Sequence, residues 1–227
     1  MTILIGTDEA GYGPNLGPLV VAATVWEVAA DADRVEEVCA AAAEPLADLW
    51  GDSKKIFRGA GGFAALERGA LAAAATAGVP GDWRSLLSAI SAAGLEDAEW
   101  GATAARMAVP VECGRDACAA AADRAAGTLE AHGLRLVAVR CRGVNPREFN
   151  ALLAEGLNKS DLLSRITLDL VAAAVVDAGS ESVVWCDRHG GRRRYAPLVA
   201  RAFASPLVQV DVETAERSAY RIPGAAC

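Results

Sequence analysis

Residues 3–28 read Ile-Leu-Ile-Gly-Thr-Asp-Glu-Ala-Gly-Tyr-Gly-Pro-Asn-Leu-Gly-Pro-Leu-Val-Val-Ala-Ala-Thr-Val-Trp-Glu-Val. A short apolar run ends on two acids, Asp8 and Glu9, which predicts a strand over residues 2–8. Residues 17–28 are β-branched and lack helical periodicity, which predicts a second strand. The link between them, residues 11–18, holds three glycines and two prolines and must turn tightly. Strands joined so closely are expected to pair antiparallel.

Beyond this pair, residues 31–50, 60–78 and 115–132 are alanine-rich and read as helices. Residues 79–112 are broken by Pro80, Gly81, Gly94, Gly101 and Pro110 and read as an insertion or small subdomain within a single domain spanning 1–227. Residues 134–144 read as a strand. Asn145-Pro146 then caps and starts a helix. In residues 159–178, Leu162, Leu163, Ile166, Leu170 and Ala173 fall on one helical face. Residues 182–187 read as a buried strand, 195–203 as a helix and 206–213 as a strand, with no element expected in the tail from Arg221. Antiparallel strands first and strand–helix–strand alternation later predict an α/β fold with a mixed sheet flanked by helices.

Hydrophobic residues make up 53% of the 227, enough for a sizeable core, and the formal net charge is −7. That charge excludes a protein that coats nucleic acid without specificity, but not one gripping a backbone along a local basic strip. The six cysteines form no CxxC pair and no histidine neighbours Cys113 and Cys118, so they read as separate thiols in a reducing compartment. The N-terminus shows no secretory leader and no apolar run spans a membrane; a soluble, cytoplasmic protein is expected.

Four constellations carry chemistry. Asp8 and Glu9 sit before a glycine-rich turn whose backbone N–H groups suit a phosphate or sugar hydroxyl; the same acids also fit an ordinary solvated strand end. Asp187 ends a second buried strand before Gly190-Gly191, and otherwise reads as a helix cap. If their strands are neighbours, Asp8 and Asp187 converge, and hard carboxylate oxygens suit Mg²⁺ or Mn²⁺. Ser53, Lys54 and Lys55 follow a turn, either as phosphate contacts or as a solvated surface. Arg188, His189, Arg192, Arg193 and Arg194 make a cationic loop beside Asp187, either a nucleic-acid contact or a solubilising segment. His132 reads as a favourable charge at a helix C-terminus.

Together, the block Gly6-Thr7-Asp8-Glu9-Ala10-Gly11-Tyr12-Gly13-Pro14, its continuation Gly17-Pro18-Leu19-Val20-Val21-Ala22, Asp52-Ser53-Lys54-Lys55 and the later strand-ending Asp187 resemble the ribonuclease HII family of the ribonuclease H superfamily. The resemblance covers residues 3–57 closely and 134–190 loosely. It implies a ribonuclease H-like sheet and cleavage of the RNA strand of RNA/DNA hybrids, or of ribonucleotide-containing duplexes, with two Mg²⁺ or Mn²⁺ ions. It would make Asp8, Glu9 and Asp187 metal ligands and catalytic residues. Gly11, Tyr12 and Gly13 would read the 2′-hydroxyl, and Ser53, Lys54, Lys55 and Arg188 would contact substrate. Tyr12 stands where that family has Arg. The family's fourth carboxylate lies on the next strand, where Asp211 is the nearest candidate and Glu213 shares its face. The family's C-terminal duplex-binding region has no counterpart before Cys227.

Two other classes compete. One is a hybrid-binding or partner protein of the same fold with a degenerate metal site. The other is an ATPase or sugar kinase of related fold, whose second phosphate loop and adenosine motif are not evident here.

Overall fold

The structure is a computed structural model that describes residues 1–10, 17–59, 61–79, 82–93 and 106–223. Five strands hydrogen-bond in the order β3–β4–β2–β1–β5: β1 is Thr2–Ala10, β2 Leu19–Val28, β3 Ser91–Ala93, β4 Leu134–Val144 and β5 Ser182–Cys186. The sheet mixes parallel and antiparallel strands and is flanked by helices, so the α/β expectation holds. A separate antiparallel hairpin joins β6 (Gln209–Glu213) to β7 (Ser218–Arg221). β7 occupies part of the segment expected to hold no element. The helices are α1 Val35–Ala43, α2 Ala47–Trp50, α3 Ser53–Arg58, α4 Gly62–Thr76, α5 Trp83–Ile90, α6 Arg115–Ala131, α7 Pro146–Ala154, α8 Lys159–Ala178 and α9 Ala196–Ala202. The chain divides into two compact units, and the division cuts β1, β2, β3 and β4.

The first unit takes in Met1–Leu4, Thr24–Ser91 and Leu95–Val139. The helical stretch expected over 31–50 is broken by 3₁₀ turns at Ala32–Arg34 and Glu44–Leu46, the second around Pro45, which has no N–H to continue a helix. α4 and α6 meet through small residues, burying Ala65, Gly69 and Ala72 on one and Ala121, Ala125 and Leu129 on the other. Alanine at these positions lets the helices approach without a side-chain entropy cost. Gly69 faces α2 closely: a Cβ there would stand 2.3 Å from the Leu49 carbonyl oxygen, and the Trp50 indole N–H donates to the Gly69 carbonyl at 2.9 Å. Trp50 in turn meets Trp26 edge-on at 6.1 Å between ring centroids.

Part of the segment read as irregular, 79–112, is ordered: Asp82 accepts the Ser85 N–H at 2.9 Å and starts α5, which runs directly into β3. Farther on, the Glu67 carboxylate on α4 accepts three consecutive backbone N–H groups, from Val111 at 2.6 Å and from Glu112 and Cys113 at 2.8 Å. Partial burial pushes the Glu67 carboxyl up, but these three donors pull it further down, to a net lowered pKa. Just beyond, Cys113 and Cys118 are joined by a disulfide with their Cα atoms 6.9 Å apart, which corrects the expectation that the cysteines stay separate.

The second unit takes in Ile5–Ala23, Ala92–Gly94 and Arg140–Cys227. Ile5, Val21, Val144, Leu162, Leu163 and Val171 are its fully buried side chains of largest apolar size. Helix α8 is the main packing element. The Asn158 side chain caps its first turn by accepting the Asp161 N–H at 2.9 Å, and Gly179, at φ 61°, ends it in the left-handed conformation that favours glycine. Its buried residues include Ser164, Thr167 and Leu168 besides the expected Leu162, Leu163, Ile166 and Leu170. Ala173 is exposed, and Ala174 takes the buried place expected for it. Asn145 caps α7 as expected, accepting the Glu148 N–H at 2.8 Å. Burial pushes the Cys141 thiol up to about 11, which makes it an inert core group.

Two predictions test this packing. Gly69→Ala is expected to destabilise the protein by about 1–3 kcal/mol, because the new Cβ must displace the backbone at Leu49; a melting temperature equal to wild type would refute the close approach. For Glu67, the lowered pKa means that its contribution is present above the ordinary carboxylate value and lost as pH falls through the folded one. Glu67→Gln is therefore expected to cost about 1 kcal/mol at neutral pH, allowing for solvent screening. In urea titrations the gap from wild type should close below about pH 4.5. A gap that persists unchanged at pH 3 would contradict this.

Candidate functional site

β1 runs two residues beyond the predicted limit, so Asp8 and Glu9 lie within it, Asp8 exposed and Glu9 half-buried. Asp187 follows β5, which hydrogen-bonds directly to β1. The neighbouring-strand condition for convergence is met. Burial raises the Glu9 pKa first, and the negative charges of Asp8 and then Asp187 raise it further, so all three carboxylates share one electrostatic neighbourhood. Each aspartate commits one oxygen locally: Asp8 Oδ1 accepts the Glu9 N–H at 2.8 Å, and Asp187 Oδ1 accepts the Arg188 N–H at 2.6 Å.

The donor chemistry fits a hard divalent cation: carboxylates crowded enough to repel one another would be relieved by Mg²⁺ or Mn²⁺. The side chains are not drawn into a finished cage, however. Among the described residues no group of three or more His, Cys, Asp or Glu side chains is close enough to hold a metal ion.

Asp211, the expected fourth carboxylate, does not join them. It stands on β6, which pairs with β7 instead of extending the five-stranded sheet. Its carboxylate is taken by the Arg221 guanidinium at 3.2 Å and by the Gln209 side-chain amide at 2.9 Å. Glu213 is likewise engaged, accepting from the Tyr220 hydroxyl at 2.5 Å and standing 3.8 Å from Arg194. The reading of the next strand as a sheet neighbour fails because the hairpin supplies its own partner.

His189 corrects the picture of a wholly cationic loop. It is buried, 2% exposed, and burial lowers its pKa, with Asp187 opposing and Arg192 reinforcing the shift, so the ring is neutral at pH 7. Its Nδ1 is 3.0 Å from Ser164 Oγ, its carbonyl accepts from Ser160 Oγ at 2.7 Å, and its N–H donates to the Tyr195 hydroxyl at 3.0 Å. The Tyr195 ring meets it edge-on at 5.6 Å. Tyr195 N–H donates to the Tyr220 hydroxyl at 2.8 Å, and the Ser218 hydroxyl donates to the Arg193 carbonyl at 2.6 Å, which ties the loop to β7. The segment after Asp187 is thus anchored to α8 on one side and to the hairpin on the other. The signal available in sequence was the pair of inward-facing hydroxyls, Ser160 and Ser164, one helical turn apart.

The remaining predicted residues fall as follows. Arg188 donates its guanidinium to the Ala215 carbonyl. Ser53, Lys54 and Lys55 form the first turn of α3 in the first unit, where Asp52 Oδ1 accepts the Lys54 and Lys55 N–H groups at 2.9 and 3.0 Å. Gly11, Tyr12 and Gly13 lie outside the described residues. His132 caps the end of α6, with Nδ1 2.8 Å from the Thr128 carbonyl. Among the described residues no helix is long and apolar enough to cross a membrane.

Comparison with known proteins gives no matching family model, no similar curated protein and no similar solved structure.

The buried Ser164–His189 pair yields a prediction. Ser164→Ala is expected to cost about 1–3 kcal/mol by leaving the His189 ring nitrogen without a partner, and to increase amide exchange in residues 188–195. Unchanged exchange there would show that the pair does not anchor the loop.

Proposed function

We propose that this chain is a metal-dependent endonuclease that hydrolyses the RNA strand of RNA/DNA hybrids or of ribonucleotide-containing duplexes, with a ribonuclease H-like sheet. The observation that carries this reading is the strand order, which sets β5, ending just before Asp187, directly beside β1 with Asp8 and Glu9; burial, and then the charges of Asp8 and Asp187, raise the Glu9 carboxyl there. Like charges held together at strand ends cost stability, and a bound divalent cation is the ordinary reason to keep them there. The motif resemblance points to the same three residues.

In this reading Asp8, Glu9 and Asp187 hold the cation or cations. A bound divalent ion there supplies an activated water and stabilises charge on the leaving 3′ oxygen. The protein's own work is positional: β1 and β5 fix the carboxylates, and the buried His189 fixes the chain directly after Asp187. The turn at residues 11–13 is assigned to the ribose 2′-hydroxyl on the resemblance alone.

A second reading, a hybrid-binding protein with a degenerate metal site, is favoured by one observation: Asp211 is committed to Arg221 and Gln209. The experiment that separates the two is cleavage of a labelled DNA duplex carrying one or several ribonucleotides, with Mg²⁺, with Mn²⁺ and with chelator. Metal-dependent cutting at the ribonucleotides is expected. Asp8→Asn and Asp187→Asn should each reduce it on the order of a hundredfold or more. Their metal-free melting temperatures should equal or exceed that of wild type, because each removes a repelling charge. Appreciable activity in both variants refutes the site; no cutting by a folded wild-type protein favours the binding protein.

A further inference from the structure

Four arginines fall within the seven residues 188–194 of a chain whose net charge is −7. The structure divides their work. Arg188 is spent on the Ala215 carbonyl, and Arg192 is paired with Asp161. Arg194, 86% exposed, has only the 3.8 Å pair with Glu213 among the described residues. Arg193 makes no ion pair among the described residues, while its own carbonyl is pinned by the Ser218 hydroxyl. An exposed cation on a fixed backbone, without a carboxylate of its own, is poised for an external anion.

These residues line a hollow. Asn158, Ser160, Gly191, Arg192, Arg193 and Arg194 surround a wide-mouthed cavity of about 500 Å³ in the second unit. No acidic residue is among them. Asp161, on the first turn of α8, is shared between Arg192 and the Asn158 amide. The Ser160 hydroxyl proton is committed to the His189 carbonyl, so this side chain supports the site and does not donate into it. Arg192 also keeps a buried Nε–H with no hydrogen-bond partner, a group that ordinarily finds an acceptor.

We propose that this hollow is a phosphate-binding subsite, led by Arg193 and completed by Arg194, that takes a backbone phosphodiester of the nucleic acid processed at Asp8, Glu9 and Asp187. The inference rests on the proposed function for the identity of its ligand, and on the cavity and its arginines for the site itself. The loop that carries Arg193 begins at Asp187, and its two anchors, on α8 and on β7, hold the arginines in a fixed relation to that carboxylate. A phosphate seated there would set where along the duplex the carboxylates act.

The test is equilibrium binding of a fluorescein-labelled RNA/DNA hybrid to the full chain in chelator, across a series of salt concentrations. Arg193→Ala is expected to weaken binding about tenfold, the worth of one charge-assisted hydrogen bond. It should lower the slope of log K against log salt by about one, as removal of one phosphate contact does. Arg193→Lys should keep the slope, and Arg115→Ala, a surface charge on α6, should change neither quantity. Equal affinity and slope in wild type and Arg193→Ala overturn the subsite, whether or not wild type cleaves. A wild-type protein that binds no hybrid overturns the proposed function instead. The subsite is then decided with inorganic phosphate alone: phosphate-dependent amide shifts at Gly191–Arg194 that vanish in Arg193→Ala support it, and their absence in wild type overturns it.

Discussion

β1 hydrogen-bonds to β2 on one side and β5 on the other, and Asp8 and Glu9 lie near its C-terminal end. An acid on a loop can swing away from a neighbouring acid into water. An acid on a strand held on both edges, above a core that includes the fully buried Ile5, has its backbone position fixed. Burial first, and then the charges of Asp8 and Asp187, raise the Glu9 carboxyl above the ordinary carboxylate value. The rest of the second unit can be understood as what fixes the fourth participant in that geometry, the chain leaving Asp187.

That chain is fixed by an uncharged network. A histidine two residues from an aspartate would ordinarily form an ion pair with it and neutralise the site. Here His189 is turned into the core, where burial keeps it neutral and Ser164 occupies its ring nitrogen. The same network is composed of hydroxyls and backbone groups that are satisfied within the protein, so its stability does not depend on whether a cation is present.

Much of this was legible in sequence where the signal was local. Asn145 caps the helix it was expected to cap, and β4 covers Leu134–Val144 as predicted, because short-range backbone chemistry dictates both. Asp8, Glu9 and Asp187 were conspicuous in sequence because they are acids ending apolar runs, and the structure sets their strands side by side. What escaped was set by distant partners. β7 was missed because the hairpin is exposed along β6, so no buried face imposes a period-2 pattern on it. Ala173 and Ala174 exchanged places because an all-alanine turn has no large side chain to fix the edge of the buried face. α5 was hidden by flanking Pro80, Gly81 and Gly94, which mark where a segment is interrupted but not what lies between.

The arginine run shows why composition alone left a solubilising loop and a nucleic-acid strip equally open. The structure separates the arginines residue by residue. Arg188 and Arg192 are structural, since their guanidinium groups close onto Ala215 and Asp161 and build the loop. Arg193 is left over from that construction. Which arginine is which depends on acceptors at positions 161, 213 and 215, far from 188–194 along the chain and close only after α8 and the hairpin have folded. In a protein of net negative charge, long-range attraction to a polyanion is weak, so affinity must come from a few cations presented at short range without competing acids. A loop whose backbone is pinned at both ends and whose internal carboxylates are already paired meets that requirement, and a flexible run of the same four arginines would not.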